Sequence, residues 1–270
     1  MKRHNRTLFA IISIFILAVS PAAALVSSGG AFKADAAPGE HLSHNLKISP
    51  SPGETSPLNL TVDVLDWYQD PSALNVGVKE NPDIEPYSAR RFLSVSPMNF
   101  SISPGTSQQI EIEGKMPTGN GGRYAMIFVH TMPTRAEGSQ GVAISYGIYN
   151  QVILTISGSK LIKSGEIENL SLVEPISRTQ QNITAIFRNT GNYHYKINAS
   201  ALLEDERGNI LATASPVIRQ SIIPTAKREI DFSIIPKISL KPGAYTVETK
   251  FMLDDGTVLA TRNTTFQLTS

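Results

Sequence analysis

Read along the chain, apolar and polar residues alternate in short runs, and no long helical stripe appears after the first two dozen positions. Leu58, Leu60, Val62 and Val64 fall on one side, with Asn59, Thr61 and Asp63 on the other. Ile110 and Ile112 alternate with Glu111 and Glu113, Ile183, Ala185 and Phe187 with Thr184 and Ile186, and Tyr245 through Leu253 repeats the pattern. A period of two puts successive side chains on opposite faces of a pleated strand. The runs are bounded by turn chemistry: Ser103-Pro104-Gly105-Thr106 and Lys241-Pro242-Gly243 put Pro before a Gly that accepts positive φ. Asp254-Asp255-Gly256-Thr257 lies between two apolar runs and predicts a two-residue hairpin, with Arg207-Gly208-Asn209 as a second. Many short strands with regular turns predict an all-β fold of two tandem immunoglobulin-like β-sandwiches, preceded by an N-terminal signal helix.

The N-terminus follows a different rule. Lys2, Arg3 and Arg6 precede an apolar run from Leu8 to Val19, and Pro21 and Ala22-Ala23-Ala24 follow it. This is the order of a secretory signal, and the run is shorter than the roughly 20 residues that span a bilayer. The expected division is a signal peptide over 1–24, a flexible leader over 25–40 rich in Gly and Ala, a first sandwich over 41–157 and a second over 158–270. The chain is then exported, to the periplasm, the cell surface or the medium, and meets the membrane through its N-terminal segment alone if that stays uncleaved.

Composition narrows the chemistry. The 270 residues carry 24 Lys and Arg against 23 Asp and Glu, a net charge of +1. That balance offers no basic footprint for nucleic acid. There is no Cys, so disulfides, thiolate metal sites and Cys nucleophiles are excluded together. His41, His44, His130 and His194 fall in no nucleophile or metal-ligand motif, and Asp63, Asp66 and Asp70 around Trp67 read as ordinary strand and turn carboxylates. No catalytic residue, metal or cofactor is expected, and the chain is read as a non-enzyme.

Three features remain. In the segment 141–156, Val142, Ile144, Tyr146 and Ile148 alternate with Gly141, Ala143, Ser145 and Gly147. Bulky residues on one face and small ones on the other let a second backbone approach closely, so these four are the candidate partner-binding row, working by strand addition. Asn59, Asn99, Asn169, Asn182, Asn198 and Asn263 each open an Asn-x-Ser/Thr sequon and are candidate glycosylation sites. Finally, Gly122-Arg123-Tyr124 and Gly243-Ala244-Tyr245 recur at matching places in the two halves. Each predicts a tyrosine corner, in which the phenol bonds back to nearby backbone.

The motifs Arg91-Phe92-Leu93-Ser94-Val95-Ser96-Pro97, Phe100-Ser101-Ile102-Ser103-Pro104-Gly105, Met116-Pro117 and Gly122-Arg123-Tyr124 follow one another in an order that resembles the first domain of the pilus-assembly chaperone superfamily and related surface proteins. The resemblance covers about 120 residues and speaks to fold more than to function. It implies chaperone-like binding of other extracytoplasmic or surface proteins during assembly of cell-envelope structures, through strand edges and loops. A structural or adhesive surface protein, glycosylated at the sequons, is the alternative. Members of the superfamily anchor a subunit's terminal carboxylate with an Arg on the first strand and a Lys on the last strand of domain one. Here Lys47 is the expected first-strand cation, and 141–156 holds no basic residue.

Overall fold

A computed structural model describes residues 25–132 and 145–269. The strands are β1 Leu25–Ser28, β2 Phe32–Ala36, β3 His41–Pro50, β4 Leu58–Gln69, β5 Asn75–Val78, β6 Leu93–Ser96, β7 Asn99–Ile102, β8 Gln108–Lys115, β9 Gly122–Thr131 and β10 Gly147–Ile156. After a linker come β11 Gly165–Leu172, β12 Gln181–Asn189, β13 Asn198–Asp205, β14 Ile210–Ala214, β15 Lys227–Ile234, β16 Gly243–Met252 and β17 Val258–Leu268. A 3-10 turn at Pro82–Tyr87 is the one helical element among the described residues. No helix in those residues is long and apolar enough to cross a membrane.

Four sheets result. β1-β3-β8-β6 faces β2-β10-β9-β4-β5, with β7 beside β4, and β11-β12-β15 faces β14-β13-β16-β17. The protein is thus two β-sandwiches in tandem. Leu46, Ile48, Val62, Ile110, Ile112, Ile127 and Leu154 are closed off from solvent between the first pair of sheets, and Phe187, Phe232, Val247 and Phe251 between the second. Phe187 stacks on Phe251 with centroids 4.8 Å apart, and Phe232 meets Phe251 edge-on.

The expected flexible leader is instead the first strand. Leu25, Phe32 and Ala36 are buried. β1 pairs antiparallel with β3 in one sheet, while β2 pairs in parallel with β10 in the other. The chain changes sheets at Gly29-Gly30, both at positive φ, and a Cβ on Gly29 would stand 2.5 Å from the Asn45 carbonyl oxygen. Glycine is needed there for geometry, not for mobility. The glycines and alanines of this stretch made ordered strands look like a linker.

The two predicted hairpins form with three-residue loops rather than two. Leu253 N–H donates to Thr257 O and Asp205 N–H to Asn209 O, and Gly256 and Gly208 take the positive-φ position of each loop. Such a loop ends a tight turn with a left-handed Gly, which Asp254-Asp255-Gly256 and Glu206-Arg207-Gly208 both supply at the third position.

Candidate functional site

The site lies where β10 and the outer face of the β9-β4 sheet meet the second sandwich. β4 explains how that face arises. Its first half buries Leu60 and Val62 in the first core. From Leu65 both faces are covered: Leu65 and Trp67, with Tyr124 and Met126 of β9, join the apolar cluster of the second sandwich. One continuous apolar seam therefore joins the two halves, and burying such surface drives their association.

Polar groups fix the geometry of the seam. The Gln69 side chain is 5% exposed and fully engaged: its amide donates to Asn75 Oδ1 at 3.0 Å and to the Ser221 carbonyl at 3.1 Å, and its oxygen accepts Ile223 N–H at 3.1 Å. Trp67 Nε1–H shares Asn75 Oδ1, at 3.2 Å. Gly122 N–H donates to Asn192 O at 2.9 Å, and Glu229 N–H to Pro71 O at 2.8 Å. Tyr124 is not a corner. Its hydroxyl accepts His194 N–H at 3.0 Å and lies 3.1 Å from His194 Nδ1, to which it can donate when the ring is neutral. Burial holds the His194 pKa below its ordinary value, reinforced by the charges of Lys33 and Lys163 against the opposing Asp35, so the neutral ring is favoured. Burial also raises the Tyr124 phenol well above its ordinary value. Tyr245 does form the predicted corner, donating to Lys241 O at 2.7 Å.

β10 is paired unequally on its two edges. β9 runs beside it from Gly147 to Thr155, whereas β2 covers Val152 to Ile156 alone. Along Gly147–Gln151 no described strand pairs with the second edge. Where the β2 ladder stops, Asn150 Oδ1 accepts Ser27 Oγ–H at 2.7 Å while its buried Nδ2 has no partner among the described residues. Lys33, opposite Ile153, is exposed and lines a cleft of about 310 Å³ with Trp67, Tyr124, Gln151 and His194. On the outer face, Tyr149 stacks on Phe128 at 4.3 Å, and Phe128 on His130 at 4.6 Å.

Of the predicted partner-binding row, Val142 and Ile144 lie outside the described residues. Tyr146 and Ile148 are half-buried against the first core, facing inward. Tyr146 Oη donates to Glu54 at 3.3 Å, and burial followed by the Glu54 charge pushes its pKa up. The row is therefore the inner lining of an open-edged strand, and its main chain is the accessible part. The expected first-strand cation Lys47 is on β3, opposite Gln109. On the β2 side of β10 stands Lys33, hidden from sequence reading because its strand looked like a leader.

The carboxylates around Trp67 are separately engaged: Asp63 with His130 Nε2 at 3.0 Å, Asp66 with Ser88 Oγ at 2.5 Å and Arg90, and Asp70 with Ser72 Oγ and Leu74 N–H. Asn59, Asn99, Asn169, Asn182, Asn198 and Asn263 are all exposed, on six different strands. The signal segment 1–24 lies outside the described residues.

No family model and no curated protein sequence matches this chain. Among solved structures it is similar to the Pseudomonas aeruginosa CupB2 chaperone, at 14% identity over 90% of this chain and 100% of that one, with a TM-score of 0.40. The class 5 fimbriae chaperone CfaA aligns at 8% identity over 92% of this chain and 100% of its own, with a TM-score of 0.43. The Salmonella enterica structure of SafA pilin with the SafB chaperone aligns at 13% over 91% and 96%, with a TM-score of 0.38.

Proposed function

We propose that this protein is an exported, non-catalytic binding module that receives an extended segment of another extracytoplasmic protein along β10. The observation that carries the reading is the half-paired edge of β10. On its second edge the main-chain groups from Gly147 to Gln151 face no described strand, beside an Asn150 Nδ2 without a partner among the described residues. An unpaired edge is a template for strand addition, in which main-chain bonds supply affinity and side-chain pockets supply selectivity. Lys33 at the far end of the same cleft supplies a positive charge for a carboxylate on the incoming segment. The work is binding during assembly of cell-envelope structures.

The test is capture of secreted or periplasmic proteins by the processed chain, followed by hydrogen exchange on the complex. Stoichiometric capture of a partner, slower exchange confined to Gly147–Gln151, and loss of capture in a Lys33→Glu protein of unchanged circular dichroism are expected. A captured partner that leaves exchange along β10 unchanged overturns the reading.

A second reading, a structural or adhesive glycoprotein of the cell surface, is favoured by the exposure of all six sequon asparagines. The mass of the protein isolated from its own host decides whether those sites carry glycans.

A further inference from the structure

The open stretch of β10 also carries a side-chain preference. Tyr146 O accepts Thr131 N–H at 3.0 Å at one end of the strand, and Ser157 N–H donates to Ala36 O at 2.8 Å at the other. In an antiparallel ladder the main-chain groups of successive residues turn to opposite edges. The register between β9 and β10 runs unbroken from Gly147 to Thr155. Ile148 and Asn150 therefore turn N–H and C=O to β9, while Gly147, Tyr149 and Gln151 turn theirs to the open edge. The side chains of these three share the outer face of the sheet. A strand added at that edge sets its own side chains beside them on the same face.

Of the three, Tyr149 alone offers an exposed apolar surface. Gly147 has no side chain, and a Cβ there would stand 2.6 Å from the Phe128 ring. Gln151 is half-buried in the cleft beside Lys33. Tyr149 is 48% exposed. Phe128 stacks on it at an interplanar angle of 14°, and no second ring stacks on it among the described residues. The row of rings is held from behind. His130 stacks on Phe128 and is hydrogen-bonded through Nε2 to Asp63 at 3.0 Å. The Gly77 backbone lies so close to the Tyr149 ring that a Cβ there would stand 2.9 Å from it. Tyr149 thus presents a ring already fixed in place, with little freedom left to lose on binding.

We propose that Tyr149 selects an aromatic side chain on the incoming strand and so sets that strand's register. Neighbouring strands lie about 4.7–4.9 Å apart. That spacing is close to the 4.3 and 4.6 Å between the rings of this row. An aromatic residue opposite Tyr149 therefore extends His130–Phe128–Tyr149 by one ring, in the offset-stacked arrangement that aromatic pairs favour. A slip of one residue turns that ring to the other face, and a slip of two sets it against Gly147 or Gln151. The selectivity rests on β10 being the receiving strand, and it adds the chemistry of one side chain that the received segment carries.

The experiment titrates the full chain with capped peptides of sequence Glu-Ser-Thr-Val-Xaa-Val-Thr-Ser-Glu, in which Xaa is Phe, Val or Arg. The sequence is a palindrome, so either strand direction presents Xaa alike. Heats of binding and hydrogen exchange along β10 are measured for each peptide. The Phe peptide should bind roughly three- to tenfold more tightly than the Val peptide, the scale of a cross-strand aromatic pair, and the Arg peptide no more tightly than the Val peptide. Tyr149→Phe should keep the preference. Tyr149→Val, a change at an exposed strand position, should bind the Phe and Val peptides alike in a protein of unchanged circular dichroism. Equal binding of all three peptides by the parent, a preference for Arg, or a Phe preference that survives Tyr149→Val overturns the proposal. If exchange at Gly147–Gln151 still slows in those cases, strand addition stands without it. Failure of every peptide to bind overturns both.

Discussion

Tyr124 and Tyr245 occupy the same place in the two sandwiches, the third residue of the penultimate strand after a Gly, yet do different work. Tyr245 stacks on Phe266 at 5.3 Å and ties its hydroxyl to Lys241 four residues upstream. Tyr124 meets Trp67 edge-on at 6.0 Å and sends its hydroxyl to His194, 70 residues away in the other sandwich. One motif closes a local turn in one half and joins the two halves in the other. The difference lies in what faces the ring. β16 turns Tyr245 into its own core, while β9 turns Tyr124 onto a sheet face whose cover is the second sandwich.

Truncation gives the widest separation. Tyr124→Ala is expected to cost about 3–5 kcal/mol, as for large aromatic deletions in a core, and to loosen the seam so that the halves unfold in separate steps in urea. A single transition in that variant would remove Tyr124 from its joining role. Tyr124→Phe is milder. It leaves the His194 N–H without its acceptor and should cost about 1–3 kcal/mol, with the loss concentrated in the coupling between halves. Tyr245→Phe removes one turn hydrogen bond and should cost about 1 kcal/mol, with cooperativity intact.

Acid sharpens the same contrast more gently. The His194 pKa in the folded protein lies below the ordinary 6.5, so between those two values the unfolded chain binds a proton that the folded chain does not. The stability it contributes is full above about pH 6.5 and is lost as pH falls through the folded value. Urea midpoints should therefore decline as pH falls below about 6.5 in the parent. In His194→Gln that decline should be shallower, and an equal decline would mean the slope comes from other groups.

Much of the fold was legible because period two survives wherever one sheet face is buried. Leu58–Val64, Ile110–Ile112 and Ile183–Phe187 announced β4, β8 and β12. The first strand was not legible, since Ala34, Ala36, Gly29 and Gly30 carry little hydrophobic signal although Phe32 and Ala36 are buried. That miss also hid Lys33. The seam was beyond sequence reading for another reason: Gln69 finds Ile223 154 residues on, and nothing local distinguishes it from any strand-end amide.

The parallel ladder between β2 and β10 has a consequence for the order of events as the protein is made. Phe32 emerges early, but its partner Val152 leaves the ribosome about 120 residues later. At roughly 5–20 residues per second that is an interval of several seconds to tens of seconds. During that time β2 has no partner strand, and the sandwich can close only when β10 arrives. β1 can pair with β3 soon after it is made, whereas β2, only a few residues further on, is seated in its sheet only after Val152–Ile156 has been made.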